Sequence, residues 1–261
     1  MIKQGINEQR RLPELYIFVT SPRADPYVNV LMHLLRNPSV SAVHFIALIE
    51  HEYTGEQMDE RLSDIEANIG ILLDQLTKGF YGDRKIELDP AWAAAYRECR
   101  IKLDRISVQR LSVSWDDLDE ELQRFISNSQ VMFDVTTLKK NLLVDVFALL
   151  LSRGWTEIFN FELVTSGEPR YDERGLIHAL GPTGFHYRSL AESKHVEKAR
   201  SRIISRSITF RTVLMITAGV AIVVLTIQLF FANTVLESGI LATATVAAIV
   251  GCLIPLIRKD S

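Results

Sequence analysis

Apolar positions fall into long uncharged runs, short β-favouring runs and helical stripes, and each kind predicts a different element. The two long runs, Thr212–Ala232 and Gly239–Ile257, hold no charged residue. At ~1.5 Å of helical rise per residue, such a run spans roughly the 30 Å hydrocarbon core of a bilayer. Only Asn233–Ser238 separates them, so the pair predicts a transmembrane hairpin. The short runs Leu15–Thr20 (LYIFVT) and Ala42–Ile49 (AVHFIALI) predict buried strands. Between them Pro26–Arg36 reads as a helix, with Asp25 as its cap and Pro26 at its first position, where the missing N–H is harmless. Strand, helix and strand within some 35 residues form a βαβ unit and imply a parallel sheet.

Thr54-Gly-Glu-Gln57 has capping-box spacing and opens a longer helix. Its apolar positions Met58, Leu62, Ile65, Ile69, Leu72 and Leu76 suit either a seam against a partner helix or a face packed on the chain's own sheet. Lys85–Leu88 reads as a third strand, and Asp89-Pro90 starts another helix by the same device as Asp25-Pro26. Arg110–Val113 reads as a fourth strand, with Ser114 capping a helix whose first turn, Asp116–Glu121, is acidic and suits the helix dipole. Val131–Val135 is a strand and Leu138–Ser152 a core helix, too short to span a membrane. Gly154 ends that helix, and Glu157–Val164 is a last strand. Gly167–Arg174 is turn-like, Gly175–Leu190 matches no regular element, and Glu192–Arg211 reads as a basic helix. The pattern predicts an α/β, Rossmann-like, mostly parallel sheet with helices on both faces. This domain spans residues 1–190, a juxtamembrane segment 191–211, and the hairpin 212–257 with spans 212–232 and 239–257.

Charge sets the expected topology. Lys194, Lys198, Arg200, Arg202, Arg206 and Arg211 precede the first span, and Arg258 and Lys259 follow the second, while the turn carries only Glu237. The positive-inside rule therefore places both termini in the cytoplasm and Asn233–Ser238 outside, in a cell or inner membrane. The start, MIKQGINEQRR, lacks the apolar core of a signal peptide. Residues 1–191 hold 21 Lys and Arg against 28 Asp and Glu, whereas the rest holds 8 against 4. An acidic globular part argues against bulk nucleic-acid binding, and a basic collar argues for anionic lipid headgroups. The two cysteines, Cys99 and Cys252, exclude a disulfide framework and a cysteine zinc site.

Ligands of doubly wound sheets bind beyond the carboxyl ends of the strands, where helix N-termini converge. Two such edges carry suggestive residues: Ser21, Arg23 and Asp25 after the first strand, and Thr136, Thr137, Lys139, Lys140 and Asn141 after Val131–Val135. A helix N-terminus disfavours two consecutive lysines unless an anion sits on its exposed N–H groups. Asp134 is placed to face a sugar hydroxyl or a base. Alternatively, both lysines are solvated and Thr137 merely caps the helix. No phosphate loop, no G-x-S-x-G and no H-E-x-x-H occurs, and the six histidines have no ligand spacing, so no catalytic group, metal or cofactor is assigned. His44, inside an apolar strand, reads as a core residue; Glu50-His51-Glu52 reads as loop or pocket wall.

The stretch LYIFVTSPRADP, followed later by FDVTTLKKN leading into an apolar helix, resembles the CARF-type Rossmann-like sensor domains of prokaryotic defence systems. The resemblance covers residues 12–165. It implies a cyclic-oligonucleotide ligand contacted from the loop after the first strand and from a D-[IV]-T-G-G-T-K-type segment. Asp134, Val135, Thr136 and a lysine at 139 or 140 match that segment, whereas Thr137-Leu138 stands in place of its Gly-Gly pair.

These readings converge on a membrane-anchored effector: a nucleotide-type anion binds the sensor domain, and an oligomer's hairpins repack as a pore or a disrupted bilayer. The alternatives are a membrane-tethered enzyme of nucleotide or NAD metabolism, and an adaptor recruiting a partner through the Met58–Leu76 helix. Thr243, Ala247 and Gly251 recur every four residues and give the second span a small-residue face for close helix packing. A cysteine placed at position 235 in an otherwise accessible-thiol-free chain should react with an impermeant maleimide in intact cells. Reaction only after permeabilisation would invert the topology.

Overall fold

The computed structural model describes residues 12–36, 40–49, 53–128, 130–164, 173–181 and 183–198. The chain divides after Glu197 into two units, and the account below concerns the first. The hairpin 212–257, with Thr243, Ala247 and Gly251, and the His51 loop lie outside the described residues. Among the described residues, no helix is long and apolar enough to cross a membrane.

In chain order the elements are β1 (Glu14–Phe18), α1 (Asp25–Arg36), β2 (Ala42–Ile49), α2 (Gly55–Thr77), β3 (Phe80–Tyr81), β4 (Arg84–Lys85), α3 (Pro90–Arg105) and β5 (Ser107–Ser114). They continue with α4 (Leu118–Asn128), β6 (Val131–Asp134), α5 (Lys140–Ser152), β7 (Ile158–Leu163), α6 (Ile177–Leu180) and β8 (Phe185–Ser189). Six strands form one sheet in the order β5-β2-β1-β6-β7-β8. All its pairings are parallel except β7–β8. This is an α/β, mostly parallel, Rossmann-like sheet.

The central strands are mostly apolar because both their faces are covered. Leu15, Ile17, Val43 and Phe45 belong to one core with α1, α2 and α3. Tyr16, Phe18, Ile46 and Leu48 belong to a second core with α4 and α5. His44 is buried in that second layer, stacked on Tyr16 with ring centroids 4.3 Å apart. Its Nε2 lies 3.0 Å from Glu14 Oε2, and burial lowers its pKa against the pull of that carboxylate.

Local signals set several boundaries. Thr54 caps α2 in a complete capping box with Gln57, and Asp89 caps α3 by accepting from the Ala91 N–H at 2.7 Å. The Met58–Leu76 stripe takes the internal one of its two readings: all six residues are buried within this chain, against its own sheet and α3. Other expectations are corrected. Lys85–Leu88 adds no strand to the sheet; residues 80–85 instead turn back through Gly82, at φ 59°, as a two-stranded hairpin. Ser114 does not cap α4, which begins only after the turn Trp115–Asp117. The stretch without an assigned element contains β8, whose alternation buries Ser189 and half-buries Phe185 and Tyr187 while His186 and Arg188 stay exposed.

One buried side chain ties α1 to the segment before α6. Asn29, 4% exposed, donates to the Gly175 carbonyl at 2.8 Å and accepts from the Ile177 N–H at 2.9 Å. Asn29→Ala leaves both backbone groups buried and unmet, each at about 1–3 kcal/mol. A melting temperature within a degree of the parent would contradict this role.

Candidate functional site

The chain leaves β1 toward β2 and β5 on one side, then returns to lay β6, β7 and β8 on the other. The order therefore reverses between β1 and β6, which are direct parallel neighbours with Ile17 opposite Asp134. Such a reversal leaves a crevice at the carboxyl ends of the two strands. Its walls are the β1–α1 loop, residues 19–24, and the β6–α5 turn, residues 135–139, the two edges singled out in the sequence.

Hydroxyl groups stitch the walls together. Thr137 Oγ1 donates to the Phe18 carbonyl at 2.5 Å and accepts from the Thr20 N–H at 3.2 Å. The Thr20 hydroxyl donates in return to the Thr137 carbonyl. Beneath them the Tyr27 hydroxyl donates to the Ser21 carbonyl at 2.9 Å, accepts from the Ser21 N–H at 3.1 Å and lies 3.4 Å from Thr137 Oγ1. Burial pushes the Tyr27 phenol up to about 12, so it remains a neutral donor.

Thr137 thus serves the sheet rather than the helix. The cap position of α5 is Lys139, with extended backbone and no side-chain cap bond. The first helical bond, Leu143 N–H to the Lys139 carbonyl at 2.8 Å, leaves the amides of Lys140, Asn141 and Leu142 without intrahelical partners. Lys139, Lys140 and Asn141 are all exposed there, and the first turn has no acidic residue. On the opposite wall Arg23 is exposed, and the Ser21 Oγ accepts from its N–H at 3.1 Å.

Asp25 and Asp134 take other roles than the sequence suggested. Asp25 is the first residue of α1 rather than its cap, and its carboxylate accepts from the Tyr81 hydroxyl at 2.6 Å. Asp134 is fully buried, so it presents nothing to a sugar or a base. Its Oδ1 accepts from the Thr136 N–H and its Oδ2 from the Thr136 hydroxyl, both at 3.1 Å. Thr136 Oγ1 in turn accepts from the Phe161 N–H at 2.9 Å, which fastens the turn to β7.

The sequence reading passed over Thr20, Tyr27 and Arg61. Arg61, half-buried on α2, donates to the Thr20 carbonyl and brings a cation to the crevice. It stands on the polar side of an amphipathic helix, where nothing local distinguishes it from a solvated arginine. Two grooves of about 450 and 430 Å³ flank the β5 edge instead, lined by α4 and by α2 with α3. Their walls mix acids with Arg110, and they include none of the crevice residues. No cluster of metal-ligating side chains occurs among the described residues.

The strand order and the crevice define a doubly wound α/β domain with a site at the switch point. No family model matches the chain, and no curated protein matches it. Among solved structures, Enterococcus italicus Csm6 bound to cyclic hexa-2'-fluoro-hexa-dAMP aligns with a TM-score of 0.39 and 10% identity, over 95% of this chain and 56% of that one.

Thr137→Val keeps the shape but removes the hydroxyl that satisfies Phe18 and Thr20, at a cost of about 1–3 kcal/mol. Thr137→Ser should retain most of that stability. Equal melting temperatures for the two variants would show that the bridge contributes nothing.

Proposed function

We propose that the β1–β6 crevice binds a nucleotide-type anion and that this domain is the sensor of a membrane-anchored effector. The observation that carries the reading is the reversal of strand order between β1 and β6. It makes neighbours of the two segments that hold Arg23 and the Lys139-Lys140 pair. The uncapped amides of α5 suit a phosphate, because oriented N–H groups and the helix dipole favour negative charge. Arg61 adds a planar donor able to grip two phosphate oxygens once released from the Thr20 carbonyl. The resemblance of the two wall segments to CARF-type sensors points to a cyclic oligonucleotide, and cyclic oligoadenylates are the first ligands to try.

The response lies with the hairpin 212–257 and its small-residue face. One hairpin encloses no channel, so several protomers must assemble, and a ligand acts by favouring one arrangement of that oligomer. The competing enzyme reading gains nothing from Asp134, the one carboxyl displaced toward neutrality among the described residues, because it is sealed from any substrate. The adaptor reading loses its surface, because the Met58–Leu76 face is internal.

Calorimetry with a panel of cyclic oligoadenylates tests the site on the full chain in detergent or nanodiscs. Lys139→Glu, Arg23→Glu and Arg61→Gln should each weaken binding by tenfold or more, with melting temperatures near the parent's. Unchanged affinity in all three, with normal melting, would refute the site.

A further inference from the structure

We propose that Asp134 is the buried positioning residue of the crevice, and that anion binding there is linked to a proton on its carboxyl. This inference rests on the crevice reading above and adds a regulatory property to it.

The geometry makes Asp134 a support rather than a contact. It ends β6 with no exposed surface, directly under the turn that forms one wall. Both of its oxygens hold Thr136, and the Thr136 hydroxyl holds the Phe161 amide of β7. The next residue, Thr137, carries the bonds across to β1. A change at Asp134 therefore reaches the crevice through two consecutive residues.

What surrounds the carboxyl matters as much. The groups acting on it are Thr136 from its own turn, Tyr187 from β8 and, through space, Tyr27 from α1. All three are hydroxyl-bearing and none is a cation. The Tyr187 hydroxyl is buried beside the carboxyl and favours its ionised form as a donor, although no hydrogen bond of full geometry closes between them among the described residues. Desolvation of a carboxylate with no cation beside it favours the neutral acid, and burial lifts Asp134 to about 7 against the hydrogen bonding from Thr136 and Tyr187. A neutral Asp134 keeps one acceptor for the Thr136 amide, whereas the Tyr187 hydroxyl acts as a donor that favours the ionised form, so its removal favours the neutral acid.

An anion in the crevice adds negative charge above this carboxyl. Ionised Asp134 repels it and neutral Asp134 does not, so binding draws a proton onto Asp134 and protonation strengthens binding equally. Two charges about 10 Å apart at an effective dielectric near 20 interact strongly enough for a roughly tenfold effect.

The linkage also appears without ligand. A carboxyl whose folded pKa lies above its unfolded value of ~3.9 keeps its full stabilising contribution below that value and loses it as pH rises through about 7. The buried His44 and the half-buried His33 and His178 have pKa values lowered by desolvation and act oppositely, weakening the fold as pH falls below ~6.5. Comparing the parent with Asp134→Asn cancels the histidines.

The test uses the full chain in nanodiscs with cyclic hexa-adenylate, whose phosphodiesters do not titrate between pH 6 and 8.5. The parent's affinity should fall roughly tenfold more than that of Asp134→Asn across this range. Its melting temperature relative to Asp134→Asn should fall as pH rises through 7. Tyr187→Phe, which keeps the ring, should bind and move the parent's midpoint to higher pH. Parallel affinity profiles in parent and Asp134→Asn overturn the linkage even if the crevice binds. Absent binding at every pH overturns the crevice reading and the linkage with it, and the melting curves then show separately whether Asp134 carries the proton. Should Asp134→Asn fail to fold, the Tyr187→Phe profile decides: an unmoved midpoint overturns the proposal.

Discussion

The crevice depends on one hydroxyl. Thr137 Oγ1 reaches from the end of β6 to the end of β1, giving its proton to the Phe18 carbonyl and taking one from the Thr20 amide. Two adjacent parallel strands would otherwise end in groups that only water satisfies, and their loops would drift apart. With the bridge in place the Ser21 loop, the Tyr27 phenol and the α5 N-terminus share one frame. The aromatic and aliphatic layers above and below the sheet make that frame stiff, because β1 is buried on both faces.

Charge is then arranged around a hydroxyl-lined seam. Arg23, Arg61, Lys139 and Lys140 stand on the two walls and on α2, while Asp25 and Asp134 are withdrawn. Asp25 is engaged by Tyr81, and Asp134 is sealed behind Thr136. The β3–β4 hairpin, which supplies Tyr81, therefore contributes to the crevice by occupying a carboxylate that would oppose an anion. Arg84 of the same hairpin holds Glu173 at 2.6 Å and keeps another acid occupied.

Elements with local causes were legible in the sequence. The Thr54–Gln57 capping box, the Asp89-Pro90 start and the apolar runs of β1 and β2 each follow from residues within one or two turns of each other. Thr137 was legible only as a polar residue before a helix, for which capping is the ordinary reading. Its partners Phe18 and Thr20 are more than 110 positions away, and only the strand order brings them near. Asp134 was misjudged for the same reason: its burial is completed by β7 and β8, and β8 is a short antiparallel edge strand whose alternation is its only mark. The helical stripe Met58–Leu76 fitted both an internal and an external partner, because periodicity identifies an apolar face without saying what covers it.

Photo-crosslinking tests the central claim most directly, since it maps contact without depending on any substitution. An 8-azidoadenine derivative of a cyclic oligoadenylate, irradiated with the full chain in nanodiscs and digested, should label peptides spanning residues 19–27 and 134–141. Excess unmodified ligand should suppress that labelling. Competable labelling confined to residues 108–125, along the β5 and α4 grooves, would contradict the account.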